Sequence, residues 1–201
     1  MTTDVTDVQQ GSEEWKTLRL GKITASRVSQ VMGKSRQNFL AIITAERISK
    51  QAESFTNAAM QWGIDTEPFA REAYEARNGV KVVQVGFCLH PTIKDAGASP
   101  DGLVGDDGLI EIKCPNTSTH VGTLIDQKAP TKYIPQIQFQ LACTGRQWCD
   151  FVSFDPRIEQ SFFQIRVERD SEYIEKMEKE VSEFLEEVDR LVNQIQGNTN
   201  E

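Results

Sequence analysis

The chain has 201 residues, of which 38% are hydrophobic and 26% charged, and its formal net charge at pH 7 is −8. This is an ordinary composition for a globular protein, and the length suits one domain with a sizeable core. No apolar run approaches the roughly 20 residues that a membrane-spanning helix needs. The first residues carry no basic or apolar signal region. We therefore expect a cytoplasmic protein without membrane contacts.

The negative charge is unevenly distributed. Residues 168–201 hold 11 acidic and 4 basic side chains, whereas residues 10–60 hold 8 basic and 4 acidic ones. Because the N-terminal quarter is locally basic, the net charge does not exclude a nucleic-acid partner. The four cysteines form no Cys-x-x-Cys pair and only two histidines are present. A zinc site or an iron–sulfur cluster is therefore not expected.

The first part of the chain has the pattern of helices. Residues 1–10 are polar, and we expect them to be flexible. Ser12 can cap a short helix, and residues 24–33 predict a second helix that ends at a glycine. Apolar side chains at helical spacing predict two further helices, over 38–51 and 65–77.

The pattern then changes to that of strands. Residues 80–89 are strand-like, and residues 102–113 predict a hairpin with its turn at Asp106-Asp107-Gly108. Beyond the hairpin the pattern predicts a helix, two strands and a long amphipathic helix, over 131–143, 149–154, 162–167 and 169–196. No repeat or low-complexity linker divides the chain. The order of elements favours a single α/β domain over 1–201, with a central mixed β-sheet flanked by helices.

Two carboxylates and a lysine stand at the predicted hairpin. Asp101 precedes it, and Glu111 and Lys113 share one face of its return strand, because successive strand side chains alternate between faces. Two carboxylates suit Mg²⁺, which lowers the pKa of a water that can attack a phosphodiester. The lysine can orient that nucleophile or stabilise charge on the phosphorane. The motif favours a metal-dependent nuclease.

Two other interpretations of these residues stay open at this point. Glu111 and Lys113 also fit a surface strand on which they form a weak ion pair. Asp106-Asp107-Gly108 also fits a calcium-binding loop, although the acid spacing and closing glutamate of an EF-hand are missing.

Four blocks of sequence follow one another along the chain. They are WKTLRLGKITAS from Trp15, WG at Trp62 with Glu67 shortly after it, SPDGL from Ser99 followed by EIKCP, and YIPQIQ from Tyr133. Together they resemble the phage lambda exonuclease family, the YqaJ-type viral recombinase nucleases of the PD-(D/E)xK superfamily. The resemblance runs from Trp15 to the last predicted helix and implies the PD-(D/E)xK nuclease fold.

The resemblance implies a metal site at the third block. Asp101 and Glu111 would bind the metal together with the backbone carbonyl of Ile112, and Lys113 would be catalytic. The expected cofactor is Mg²⁺, with Mn²⁺ as a substitute and two ions per site.

Five further residues receive roles from the resemblance. Glu67 would support the metal and its water, and Gln136 would help hold the attacking water or the scissile phosphate. Arg19, Ser26 and Ser99 would form a pocket for the 5′-terminal phosphate. Each also has a structural interpretation, since an arginine is often a surface cation and a serine or glutamate at a helix start often caps it or complements its dipole.

The resemblance also implies an activity and an assembly. Members of the family degrade one strand of duplex DNA from 5′ to 3′, leave a 3′ overhang for a single-strand annealing protein, and form a ring-shaped trimer around the DNA. We therefore expect a homotrimeric exonuclease that acts on double-stranded DNA ends in a bacterial cell, of phage or prophage origin. Two alternatives are a restriction-type endonuclease on the same fold and a catalytically inactive DNA-end-binding module.

Overall fold

Helices and strands alternate through the computed structural model, which describes residues 5–52 and 57–197. The α-helices are α1 (Glu13–Arg19), α2 (Arg36–Ser49), α3 (Ala58–Asn78), α4 (Thr117–Asp126), α5 (Ile134–Thr144) and α6 (Ser171–Ile195). The strands are β1 (Ile23–Thr24), β2 (Val82–Val83), β3 (Cys88–Leu89), β4 (Ala96–Ala98), β5 (Gly102–Val104), β6 (Gly108–Lys113), β7 (Trp148–Phe154) and β8 (Phe162–Glu168). Two short 3₁₀ helices cover Ala25–Gln30 and Thr131–Tyr133. Within these ranges no helix is both long and apolar enough to cross a membrane.

Two β-sheets organise the fold. The larger sheet has the strand order β2-β5-β6-β7-β8, and its pairs are antiparallel except for the parallel pair β6–β7. The smaller sheet has the order β1-β4-β3, with β1 parallel and β3 antiparallel to β4. The mixed sheet flanked by helices confirms the fold class that the sequence predicts.

The hydrophobic core lies on both faces of the larger sheet. On one face Leu109 and Phe151 pack in a cluster that includes residues of α2, α5 and α6. On the other face Ile110 and Ile112 pack with Tyr74 of α3. This alternation along β6 puts Glu111, which follows the register of Leu109, on the side of the sheet that α5 covers.

Most of the predicted elements are present. The hairpin over 102–113 is formed by β5 and β6, and the later strands and the last helix agree with their predicted ranges to within two residues. The Ser12 hydroxyl caps α1 and accepts a hydrogen bond from the amide of Trp15 at 3.1 Å. The strand-like segment 80–89 contains two short strands, β2 and β3, rather than one.

Two helix predictions were wrong in detail. The helix expected over 65–77 begins seven residues earlier, because the side chain of Asn57 caps it by accepting from the amide of Met60 at 2.9 Å. Pro68 then lies inside this helix on its exposed side, where the carbonyl left without a donor can reach solvent. The segment expected to be an α-helix over 24–33 is a 3₁₀ helix, since Thr24 belongs to β1 and its side chain makes no capping hydrogen bond.

The segment predicted to be flexible at the start of the chain has specific contacts from residue 5 onwards. Val5 forms an isolated β-bridge with Cys88. The side-chain amide of Gln10 donates to the carbonyls of Val85 at 2.8 Å and Pro100 at 2.9 Å. These contacts support the loop that leads to Asp101. They are made to backbone groups, and a polar composition does not predict such contacts. Residues 1–4 of that segment lie outside the described residues.

Candidate active site

Strand β6 and the hairpin bring the two predicted carboxylates and the lysine together. The Asp101 carboxylate accepts a hydrogen bond from the backbone amide of Ile112 at 2.6 Å. The Lys113 ammonium lies 2.5 Å from Oε1 of Glu111. Because the Glu111 side chain is fully buried, the alternative of a weak surface ion pair does not fit. Asp106 and Asp107 are exposed turn residues remote from this pair in the hairpin.

Two glutamines of α5 hold the Glu111 carboxylate. Gln136 donates through Nε2 to Oε1 at 2.6 Å, and Gln140 donates through Nε2 to Oε2 at 2.6 Å. The sequence prediction included Gln136 but missed Gln140. The signal was present in the spacing, because residues four apart on a helix share a face. Each oxygen of the carboxylate therefore has its own amide donor.

Glu67 reaches the same site from α3. It forms an ion pair with Arg71, one helical turn further along. Burial raises the pKa of Glu67, the Arg71 guanidinium acts to lower it, and the charge of Glu111 raises it further. These influences put Glu67 within electrostatic range of Glu111 and Lys113 on β6.

The site carries more negative than positive charge. Burial and the neighbouring charge of Glu111 raise the pKa of Asp101 well above its usual range, with Lys113 opposing them. Burial would lower the pKa of Lys113, but the charges of Glu111 and Asp101 outweigh it and raise that pKa. Lys113 is thus a firmly protonated cation among three carboxylates. We call these four residues, together with Gln136 and Gln140, the carboxylate site.

The carboxylate site has a donor set that suits Mg²⁺. The described part of the chain has no group of three or more His, Cys, Asp or Glu side chains arranged to hold a metal ion. The predicted ligands are the Asp101 and Glu111 carboxylates and the Ile112 carbonyl, and two carboxylates fit Mg²⁺, which commonly takes one or two carboxylates and keeps its waters. A divalent cation would also relieve the repulsion that raises the pKa of Asp101.

The three residues predicted to bind a terminal phosphate are linked through Trp15. The guanidinium of Arg19 stacks over the Trp15 ring, 3.7 Å from its centroid, and donates to the Ser26 hydroxyl at 3.3 Å. The Trp15 indole nitrogen donates to the Ser99 hydroxyl at 2.9 Å. Sequence reasoning missed Trp15 as the residue that joins them. Ser99 lies two residues before Asp101, so this group borders the carboxylate site.

A cavity of about 430 Å³ is lined by Trp15 and Arg19. Ser26 and Ser99 do not line this cavity but bind Arg19 and Trp15. We call the cavity, together with these two serines, the arginine pocket. Burial and the charge of Arg27 lower the pKa of Arg19 to about 10. The Nε of Arg19 is buried and has no hydrogen-bond partner in the described ranges. A half-buried cation whose buried Nε has no acceptor is suited to an anion such as a phosphate.

Comparison with known proteins shows what the whole chain is similar to. The model of the YqaJ-like viral recombinase domain matches residues 14–147. The crystal structure of an alkaline exonuclease, LHK-Exo, from Laribacter hongkongensis is 51% identical with a TM-score of 0.90, over 93% of this chain and 97% of that one. The crystal structure of LHK-Exo in complex with dAMP is 50% identical with the same TM-score and the same coverage.

A more distant structure shares the fold. The crystal structure of a phage-related exonuclease from Haemophilus somnus 129PT has a TM-score of 0.72 at 15% identity, over 87% of this chain and 96% of that one. No similar sequence was found among curated proteins.

Proposed function

Because the chain belongs to the YqaJ-like viral recombinase family, we propose that it is a Mg²⁺-dependent exonuclease that degrades one strand of duplex DNA from its 5′ end. The observation that carries this proposal is the buried Glu111 carboxylate, held by two glutamine amides and Lys113 with Asp101 beside it. The relative LHK-Exo, with about half of its residues identical, is an alkaline exonuclease. Its name supports exonuclease activity, and the direction of digestion is our proposal.

In the proposed reaction Asp101, Glu111 and the Ile112 carbonyl hold the metal. Bound Mg²⁺ would lower the pKa of a water and neutralise charge on the phosphate, Mn²⁺ would substitute for it, and two ions would occupy each site. Lys113, protonated beside Glu111, orients the nucleophile or stabilises the developing charge on the phosphorane. Its role needs a fixed positive charge, which the raised pKa supplies over the whole working pH range.

Two further residues support this chemistry from neighbouring helices. Glu67, on α3, lies within electrostatic range of Glu111 and would hold waters on the metal. Gln136, on α5, is half-buried, and we propose that its amide contacts the attacking water or the scissile phosphate as well as Glu111.

The arginine pocket would set the direction of digestion. Arg19 would bind the 5′-terminal phosphate, with the Ser26 and Ser99 hydroxyls as additional donors. Because Ser99 is joined to Asp101 by a single residue, a phosphate in the pocket would draw the strand end past the carboxylate site. Cleavage would then release nucleotides from the 5′ end and leave a 3′ overhang.

The assembly is a further part of the proposal. We propose a ring-shaped homotrimer around the duplex, acting with a single-strand annealing protein that covers the overhang in recombination. The mass of the protein in solution, measured by light scattering, tests the trimer. A monomer at the concentrations at which digestion is processive would contradict it.

Two other functions make different predictions. A restriction-type endonuclease would use the same carboxylates and lysine but has no need of a pocket for a strand end. An inactive DNA-end-binding module would not need a protonated lysine beside the buried Glu111 and the half-buried Asp101, and the presence of all three residues counts against it.

Digestion of end-labelled duplexes separates these functions. We expect linear duplex with a 5′-phosphate to be degraded only when Mg²⁺ is present, and closed-circular duplex to stay intact. Cleavage of the circle would favour the endonuclease, and binding of linear ends without any metal-dependent cleavage would favour the inactive module.

A further inference from the structure

Gln140 is a fully buried residue whose side chain makes one contact at the carboxylate site. Its Nε2 donates to Oε2 of Glu111 at 2.6 Å, and the residue is 0% exposed. Its Oε1 is buried and has no hydrogen-bond partner in the parts of the chain that the structure describes. Gln136 is half-buried, whereas Gln140 lies one turn deeper along α5 and cannot reach a substrate.

The oxygen without a partner, Oε1 of Gln140, follows from the contact that its nitrogen makes. Turning the amide round would place its oxygen 2.6 Å from a carboxylate oxygen, and two acceptors repel each other at that distance. The nitrogen must therefore face Glu111, and the oxygen stays without a donor. Buried polar atoms without partners are rare, and they concentrate where a local cost serves function.

We propose that Gln140 is a positioning residue that fixes the Glu111 carboxylate in the orientation that receives Mg²⁺. This inference rests on the proposed function. With Gln136 on one oxygen and Gln140 on the other, the carboxylate cannot rotate without breaking a hydrogen bond. Mg²⁺ demands near-ideal octahedral geometry, so a ligand held in one orientation binds it more tightly than a freely rotating one.

Gln138 provides a matched control on the same helix. It is 2% exposed, and its amide is fully used in the fold. Its Nε2 donates to the carbonyl of Glu168 at 2.8 Å, and its Oε1 accepts from the amide of Asp170 at 2.9 Å. Gln138 and Gln140 are therefore both buried glutamines of α5, but only Gln140 contacts the carboxylate site.

The test compares Gln140→Met with Gln138→Met, since methionine keeps the length of the side chain and removes the amide. The affinity for Mg²⁺ is measured by titration calorimetry without DNA, and the melting temperature is measured with and without Mg²⁺. For Gln140→Met we expect the Kd for Mg²⁺ to rise roughly 10-fold or more, on the scale of other residues that orient metal ligands. The metal-free melting temperature should fall by roughly 5 °C, because Oε2 of the buried Glu111 carboxylate loses its donor, and adding Mg²⁺ should raise it by less than it does for wild type.

The control should lose stability without losing affinity for Mg²⁺. Gln138→Met should lower the metal-free melting temperature by roughly 5 °C or more and leave the Kd for Mg²⁺ within about twofold of wild type, because two backbone groups lose their partners far from the metal ligands. In digestion assays, saturating Mg²⁺ should restore most of the kcat of Gln140→Met. A second variant, Gln140→Leu, should weaken Mg²⁺ binding in the same way.

The results that overturn the inference are distinct from those that overturn the proposed function. An unchanged Kd in Gln140→Met and Gln140→Leu, or an equal rise in Gln138→Met, would overturn the positioning role alone. A rise in melting temperature on adding Mg²⁺ that is as large in Gln140→Met as in wild type would show that the role is structural. Wild-type protein that neither binds Mg²⁺ nor digests linear duplex with it would overturn the proposed function itself.

Discussion

The carboxylate site and the arginine pocket differ in how many of their polar atoms have hydrogen-bond partners within the chain. At the carboxylate site both oxygens of Glu111 accept amide hydrogen bonds, and Asp101 accepts one from the backbone. In the arginine pocket Arg19 is held by the face of Trp15 and one bond to Ser26, and its Nε lacks a partner among the described residues. The chain itself orients the groups of the first site, whereas the second leaves a donor unused.

The two regions also differ in the sign of their uncompensated charge. Burial and the neighbouring carboxylates raise the pKa of Asp101, and burial and a neighbouring guanidinium lower the pKa of Arg19. Each shift reflects like charges held together away from solvent. One region therefore has capacity for a cation and the other for an anion. A metal ion and a terminal phosphate are the pair of ligands that a nuclease acting on strand ends would bring together.

The largest effect is expected from removal of a metal ligand. Asp101→Asn keeps the shape of the side chain and should reduce cleavage of linear duplex by roughly 10³-fold or more, because a catalytic metal supplies several kcal/mol of transition-state stabilisation. Its melting temperature without metal should equal or exceed that of wild type, since the repulsion from Glu111 is lost. Cleavage near the wild-type rate would remove Asp101 from the site.

A smaller loss is expected when the cation of the carboxylate site is removed. Lys113→Met should lower kcat by about 10²-fold, the scale of one well-placed electrostatic group. Mg²⁺ binding should be kept or strengthened, because Glu111 no longer shares its oxygen with the ammonium. Calorimetry of Mg²⁺ binding checks this division, and parallel loss of binding and turnover would mean that Lys113 acts mainly by holding Glu111.

The arginine pocket should control which strand ends are digested rather than the rate of the cleavage step. Wild type should digest a 5′-phosphorylated end faster than a 5′-hydroxyl end, and Arg19→Ala should lose roughly 10-fold of that preference, the value of one charge-assisted contact. Arg36→Ala is the matched control, since Arg36 pairs with Glu187 outside the pocket. Rates must be compared at one salt concentration, because phosphate contacts weaken with ionic strength. An equal preference ratio in all three proteins would leave Arg19 as a structural cation.

The smallest effect is expected on stability, at a carboxylate outside the carboxylate site. This carboxylate, Asp155, has Arg157 as its partner. Burial would raise the pKa of Asp155, but hydrogen bonds from Arg157 and Thr117 outweigh it and lower that pKa to about 2 from the usual 3.8. A lowered folded-state pKa adds stability that is present above about pH 4 and is lost as the pH falls towards 2. Asp155→Asn should therefore cost about 1–2 kcal/mol at pH 7 and progressively less below pH 4.

Urea unfolding of wild type and Asp155→Asn at pH 7 and at pH 3 measures this difference. The gap between the two free energies of unfolding should narrow at pH 3. A gap that is the same at both pH values would show that Asp155 contributes through its shape rather than through its charge.

Local pattern was enough to predict much of the fold. The hairpin, the later strands and α6 follow from periodicity and turn residues, and each was found close to its predicted range. The strand β4, at Ala96–Ala98, was missed because Ala-Gly-Ala carries no β-branched or aromatic signal. The early start of α3 depends on a cap at Asn57 that lies before any apolar periodicity.

At the carboxylate site the sequence revealed the charged residues but not what surrounds them. Asp101, Glu111 and Lys113 form a motif with its own chemistry, and the structure brings them together. Gln140 carries no charge and belongs to an ordinary helical pattern. Its contact with Glu111 exists only because α5 packs over β6, which is a property of the tertiary fold. The link through Trp15 between Ser99 and Arg19 has the same origin.

The most direct test of the account follows both ends of one strand of a linear duplex during digestion. The duplex carries a 5′-phosphate on each strand and a different label at the 5′ and 3′ ends of one strand. With Mg²⁺ the 5′ label should be released first as a mononucleotide, while the 3′ label stays on a shortening strand, and chelation of Mg²⁺ should stop both changes. Early release of the 3′ label, internal cuts in a closed circle, or equal digestion without a divalent metal would contradict it.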